Sequence, residues 1–332
     1  MDLLPTIDQL DMMATVDRFL HQEFPASRRH TLIDAETPVD AEVWLGAAQL
    51  GIFALGLPEN VGGAGCPIVE EALVFQVIGR QLGPVGFLAS VLAVRLAHGS
   101  GADHLRDEVT AGKKRVSLGL PTAEGSIDVF DLDEAVLIVT ATDPPGLFSV
   151  PHQTGAATPE CLDPSVRITR LSALPDPLPV PAATVGDVRL LGALLTAAML
   201  VGIAEAARDA SVTYANQRVQ FGRLIGTNQA IKHRCADMAV SAEAAASLLH
   251  FAALAMRDGR GDADFQVAAA KRIATAAALD NARANVQIHG AMGYTWEHDA
   301  HLLLTRAHVL NQLFGDVRAQ QKVLLHTAPS VP

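Results

Sequence analysis

The chain has 332 residues, of which 49% are apolar and only 5% aromatic, and it carries a formal net charge of −11. That length buries a sizeable core and accommodates two or three subdomains, and an apolar set rich in alanine and leucine favours helices packed on helices. The acidic balance leaves no basic stripe to neutralise phosphates, which excludes nucleic acid as a partner, and three scattered cysteines, Cys66, Cys161 and Cys235, form neither a metal spacing nor a disulfide framework, so a reducing cytoplasm is expected.

In chain order, residues 1–113 read as an N-terminal helical domain. The opening Met1-Asp-Leu-Leu-Pro has no basic segment followed by an apolar one, so no secretion signal is expected. Residues 7–24 show amphipathic spacing through Leu10, Met13, Val16, Phe19 and Leu20. Trp44, Leu50-Gly51, Leu57-Pro58-Glu59 and Gly62-Gly63-Ala64-Gly65 follow. No strand precedes the glycine cluster and no phosphate-binding lysine follows it, so it reads as a tight structural loop before a helix over 70–82. Residues 114–184 change character, with short β-type runs at 116–120, 135–141 and 147–150 separated by turn clusters such as Asp143-Pro-Pro-Gly146. From 185 to 332 the apolar spacing predicts four helices, over 188–217, 228–259, 264–289 and 297–326, as a bundle requires. The apolar stretch 190–203 is short for a bilayer span and runs into Glu205 and Arg208, so it is expected to be a buried bundle helix and no membrane is implied.

Two corners of this bundle carry polar groups suited to an anion. At the first, Arg218 ends a helix where its guanidinium can fork onto a phosphate. Phe221-Gly222 makes the corner, Thr227 is the expected N-cap, and Gln229 lies in the next first turn. At the second, Gln287-Ile288-His289-Gly290-Ala291 leads to Gly293-Tyr294. A helix ending on glycine exposes backbone groups with no Cβ in the way, so a pyrophosphate can lie against it. Glu297 and Asp299 read as caps of the last helix, and His289 and His298 as packed or solvated residues without a ligand set for a metal.

Tyr-x3-Arg-x2-Phe-Gly-x3-Gly-x2-Gln at 214–229, with Lys232-His233 and Ala236-Asp237-Met238 behind it, resembles the first C-terminal signature of acyl-CoA dehydrogenases. Gln-x-His-Gly-x2-Gly-Tyr at 287–294 resembles the second, in the expected order, and the Trp44-to-Gly65 pattern and the helix after it are similar to the family's N-terminal domain. The resemblance implies a mainly α fold with a small β domain: an N-terminal helical domain, a reduced middle β-domain and a C-terminal four-helix bundle. It also implies FAD as cofactor. Arg218, Phe221, Gln229, Gln287, Ile288, His289, Gly290 and Ala291 would hold the adenine-diphosphate half of a partner's FAD across an interface, so the protein would be at least a dimer.

The implied reaction is α,β-dehydrogenation of an acyl-CoA thioester, in which a glutamate takes the α-proton. Family members draw that glutamate from one of two places. At the first this chain has Gly192-Ala193, and Glu205, 13 residues on, lies roughly 20 Å away along a helix. At the second, Phe314 or Gly315 replaces it. Asp316 next to them reads either as the base or as a helix N-cap. The loop that touches the flavin ring in complete members is represented only by Pro121-Thr122-Ala123-Glu124-Gly125-Ser126. Kept diphosphate motifs with no base resemble the smaller subunit of the α2β2 acyl-CoA dehydrogenases of bacterial steroid side-chain catabolism. Its partners would be a second acyl-CoA dehydrogenase subunit and, by analogy, an electron-transferring flavoprotein. The alternatives are a self-sufficient homo-oligomeric dehydrogenase using Asp316, and a non-catalytic flavin- or CoA-binding scaffold.

Overall fold

The computed structural model describes residues 3–25, 41–122, 124–132, 135–140, 145–150, 160–178 and 188–328. The expected boundary between residues 184 and 185 lies outside them, as do Ala123, Ala141, Asp143 and Pro144. Ten α-helices and seven strands are seen among the described residues, in two compact units.

One unit comprises Phe19–Glu71 and Gly83–Gly192. It contains α2 (Ala41–Gln49), two 3-10 turns (Ile52–Ala54 and Glu59–Val61), α4 (Val85–Gly99) and α5 (Asp103–Thr110). Its sheet is built from β1 (Val116–Pro121), β2 (Ile127–Phe130), β3 (Leu137–Thr140), β4 (Gly146–Ser149) and β5 (Ile168–Leu171), in the order β4-β3-β1-β2-β5. Only β1 and β3 run parallel; the other pairs are antiparallel. Strands β2 and β5 were not expected, because four-residue runs such as Ile168-Thr-Arg-Leu are too short for alternation to stand out.

From Val85 to Val94 helix α4 is almost wholly apolar and is buried on every face, as a central helix must be. Trp44, Phe53 and Phe87 form a ring cluster on it with centroids 5.3–5.4 Å apart. The glycine cluster is closed on itself: Gly65 N donates to Leu57 O at 2.8 Å and Cys66 N to Leu55 O at 2.9 Å. A Cβ on Gly63 would sit 2.1 Å from Leu57 O. These amides are spent inside the loop, which makes it structural rather than anion-binding.

The other unit comprises Met1–Arg18, Ala72–Leu82 and Ala193–Pro332. Helices α1 (Ile7–Glu23), α3 (Ile68–Arg80) and α6 (Val188–Gln217) contribute to it in part. The hairpin β6–β7 (Val219–Gln220 and Arg223–Leu224), α7 (Gln229–Arg257), α8 (Ala263–His289), α9 (Ala300–Gln312) and α10 (Val317–Thr327) complete it. Leu194, Leu195, Leu200 and Ile203 of α6 are wholly buried, as expected of a bundle helix. Two glycines let α3 and α6 touch backbone to backbone: a Cβ on Gly202 would lie 1.9 Å from Gln76 O, and one on Gly79 2.1 Å from Met199 O.

The single helix expected over 297–326 is two helices. Phe314 and Gly315 take φ of +57° and +93°, which no α-helix accommodates, and Asp316 starts α10 as an N-cap, its Oδ1 accepting from Ala319 N at 2.8 Å. The helix expected from 297 also begins later, at Ala300. Asp299 holds the N-cap position without a side-chain capping bond; the Ala300 amide donates instead to His298 Nδ1 at 3.1 Å. Likewise α7 is preceded by Asn228 at its N-cap position, and the Thr227 hydroxyl turns back to donate to Leu224 O at 2.7 Å.

Asn281 ties three bundle helices together. Its Nδ2 donates to Ala204 O of α6 and Met238 O of α7, each at 3.0 Å, and its Oδ1 accepts from Ser241 at 2.9 Å. Asn281→Leu is expected to cost about 2–4 kcal/mol, since it removes a buried network and strands its partners. A lowered urea midpoint at unchanged slope is the readout.

Candidate functional site

The first corner is a two-strand hairpin. Val219 pairs with Leu224 and Gln220 with Arg223, and Phe221-Gly222 between them both lie at positive φ, +51° and +76°. Two-residue turns of this kind favour asparagine and glycine at the first position, because a side chain there meets its own backbone. Phe221 occupies it nonetheless and is fully exposed, so neither burial nor local geometry accounts for the aromatic ring. Arg218 caps the end of α6, its amide donating to Tyr214 O at 2.9 Å and its carbonyl accepting from Ile225 N at 2.9 Å. Its exposed guanidinium finds no partner among the described residues. Gln229 opens α7 and is also exposed. Most of the following turns, through Lys232, His233, Arg234 and Val240, face outward.

The second corner is the C-terminus of α8. Gln287 is exposed, Ile288 and His289 are buried, and Gly290 and Ala291 are exposed at the start of a 3-10 turn, Gly290–Tyr294. Gly290 has φ +64° and ψ −140°, and a Cβ there would meet nothing within 4 Å. The Gly290 amide is returned to Gln287 O and Val286 O, so the accessible polar groups here are the Gln287 side chain and the exposed backbone at Gly290-Ala291 beyond that amide, whereas Ile288 and His289 offer only main-chain atoms. His289 is packed rather than solvated: its ring stacks on Tyr214 and its Nδ1 bonds Asn285 O at 2.8 Å. Burial holds its pKa below the usual imidazole range, against the pull of the Asn285 carbonyl.

Neither expected position of a catalytic base holds a carboxylate. Gly192 lies within α6. At the break between α9 and α10, Phe314 is buried, and the Asp316 carboxylate caps α10. Beneath the break, Lys271 of α8 is fully buried and donates through Nζ to Leu313 O and Gly315 O, while Gln320 Nε2 donates to Phe314 O at 2.9 Å. This lysine was missed in the sequence, where an isolated Lys in an alanine-rich helix reads as a solvated residue. Glu205 is half-buried, with its pKa raised by desolvation against a hydrogen bond from Gln76. In the sheet-bearing unit, Thr122 and Ser126 bond each other, Oγ1 to Oγ at 2.7 Å, and Thr122 N donates to Ser126 O. The loop expected to face a flavin ring is thus a closed β1–β2 turn whose hydroxyls satisfy one another.

Sequence and structure comparisons place this geometry in a family. The acyl-CoA dehydrogenase N-terminal domain family matches residues 6–109, and the acyl-CoA dehydrogenase C-terminal domain family matches residues 190–324. The chain is 36% identical to acyl-CoA dehydrogenase IpdE2 of Mycobacterium tuberculosis, over 84% of each chain. It is 34% identical to acyl-CoA dehydrogenase FadE34 of the same organism, over 82% of this chain but only 40% of that one. Among solved structures, the ChsE4-ChsE5 complex of Mycobacterium tuberculosis superimposes with a TM-score of 0.83 at 22% identity, covering 100% of both chains. The Tcur3481-Tcur3483 steroid acyl-CoA dehydrogenase G363A variant gives 0.83 at 22% identity, covering 96% and 97%. By its matched domains and its relatives, the chain belongs to the acyl-CoA dehydrogenase family.

Proposed function

We propose that this chain is the smaller, base-lacking subunit of a hetero-oligomeric acyl-CoA dehydrogenase, which completes a partner chain's FAD site. The observation that carries the reading is Phe221, an aromatic ring held fully exposed on strained backbone beside an arginine whose guanidinium has no partner among the described residues. Such a residue is retained when something outside the chain covers it. FAD, the cofactor of this family, fits the two corners. The Arg218 guanidinium, the exposed Gln287 side chain and the backbone that leaves Gly290 toward Ala291 suit a diphosphate, Phe221 offers an apolar wall, and Gln229 adds a polar contact from the first turn of α7. When bound, FAD accepts the two electrons released as the acyl chain is desaturated.

This chain's own residues bind and orient; they do not supply the proton acceptor. Asp316 is engaged as an N-cap, and Gly192 and Gly315 have no side chain. The partner must therefore bring the carboxylate, the thioester pocket and the flavin-ring contacts, for which the closed Thr122–Ser126 turn is unsuited. Two comparisons support a second subunit. One structural neighbour is a complex of two differently named proteins, and the FadE34 match leaves more than half of that longer chain outside it. Another neighbour is a steroid acyl-CoA dehydrogenase, which favours a steroid-derived acyl-CoA as the substrate class; an electron-transferring flavoprotein is the acceptor by family analogy.

Co-expression tests this. Produced alone, the chain is expected to be colourless and inactive. Produced with a longer acyl-CoA dehydrogenase chain that carries the glutamate, it should give a yellow oligomer that an acyl-CoA bleaches. A yellow homo-oligomer bleached by substrate would instead establish a self-sufficient enzyme using Asp316. A complex that holds flavin but never reduces it would leave a binding scaffold.

A further inference from the structure

Three aromatic rings join the two corners. Tyr214, four residues before Arg218, stacks on His289 with centroids 4.1 Å apart and planes inclined by 29°. His298 lies 4.3 Å from His289 and edge-on to Tyr214 at 6.5 Å. Each imidazole also serves a helix end. His289 Nδ1 donates to Asn285 O near the end of α8, and His298 Nδ1 accepts from Ala300 N at the start of α9. The second bond fixes the tautomer, since an acceptor Nδ1 is bare and the proton of a neutral ring sits on Nε2. The two histidines thus bond the helix ends on either side of the Gly290–Tyr294 turn and meet at Tyr214, whose main-chain carbonyl receives the Arg218 amide.

We infer that His298 is a positioning residue for the FAD-diphosphate corner: through the Tyr214–His289–His298 stack it holds the Gly290 turn in register with Arg218. The inference rests on the proposed reading of that corner. Its physical basis is that Gly290 lies in the permissive positive-φ region with open space around its Cα; its own amide returns to Gln287 O and Val286 O at the end of α8, so the direction of the chain beyond it depends on what packs behind the turn. Packing from His289 and His298 supplies the missing constraint. A diphosphate bridging two elements is bound tightly only when both are already placed, because ordering them on binding subtracts from affinity.

The test is calorimetric titration of FAD into the flavin-stripped hetero-oligomer, with the melting temperature of the flavin-free protein measured alongside. His298→Ala removes ring and cap together and should weaken FAD binding about tenfold, equivalent to 1.4 kcal/mol, with the flavin-free melting temperature shifted by no more than about 2 °C. His298→Asn restores a capping oxygen and His298→Phe restores the ring; each should recover part of the affinity. Binding within twofold of wild type for His298→Ala overturns the inference. So does a fall in flavin-free stability that accounts for the whole loss, and His298→Phe serves as the readable variant if the alanine protein fails to fold. Arg218→Ala is the control for the underlying reading. If it weakens binding while His298→Ala does not, only the stack's role is wrong; if neither does, the diphosphate corner is elsewhere.

Discussion

Replacing Lys271 should change how stability depends on pH. The ammonium has no exposed surface, and burial pushes its pKa from an ordinary 10.5 down to about 7, although the Asp316 carboxylate pulls the other way. In the unfolded chain the amine stays protonated to its ordinary value. Between pH 7 and 10.5 the unfolded state therefore binds more protons than the folded one, and the free energy of unfolding rises with pH, by up to about 1.4 kcal/mol per unit. Below pH 7 both states are protonated and the contribution is flat, with the full cost of a buried charge in place.

Lys271→Met removes that cost together with the donor. Leu313 O then loses the lysine bond, while Gly315 O keeps Gln320 Nε2 at 3.2 Å. The expected result is a pH-independent profile over 7–10 that falls progressively below wild type, by about 1–3 kcal/mol where wild-type Lys271 is neutral. Lys271→Ala adds a cavity and should cost about 3–5 kcal/mol. Urea unfolding at pH 6 and pH 9 separates the cases. Parallel profiles for wild type and Lys271→Met would show that this amine does not titrate in that range.

The long elements were legible in the sequence because their spacing repeats over many turns. Helix α6 has the bounds that periodicity predicts, and α7 and α8 differ by only one or two residues. What was not legible depended on contacts distant in sequence. The break at Phe314-Gly315 interrupts an apolar pattern that continues on both sides, and it is held by Lys271 from another helix. The capping of α9 passes from Asp299, the residue type that favours that position, to a neighbouring imidazole fixed by ring packing. Strands β2 and β5 exist because β1 offers β2 an edge and β2 in turn offers one to β5, rather than because four residues declare themselves. The site residues split along the same line. Arg218, Phe221, Gln229 and Gln287 are candidates through the motifs that resemble the family's signatures, whereas the burial of Ile288 and His289, which leaves them only main-chain atoms to offer, needed coordinates.

Arg218→Ala should cut flavin affinity of the assembled oligomer by about 30- to 100-fold, the magnitude of one or two charge-assisted hydrogen bonds to a phosphate. The fold of the described residues does not depend on that charge, because the guanidinium is exposed and unpaired there. Phe221 allows a sharper separation of folding from function. Phe221→Gly relieves the positive-φ conformation, which costs an L-residue about 1–2 kcal/mol, and it adds chain entropy to the unfolded state worth about 0.4–1 kcal/mol. With no buried surface to lose in this chain, the two effects nearly cancel, and its stability should stay within about 1 kcal/mol of wild type. If the ring serves the cofactor, flavin affinity should nonetheless drop by about 5- to 30-fold, the worth of an aromatic wall of about 1–2 kcal/mol. Fluorescence titration of the flavin-stripped oligomer, paired with urea unfolding of the chain, measures both quantities. Unchanged flavin binding in both variants would mean that the exposed corner serves another purpose, and the proposed division of labour between the two subunits would have to be abandoned.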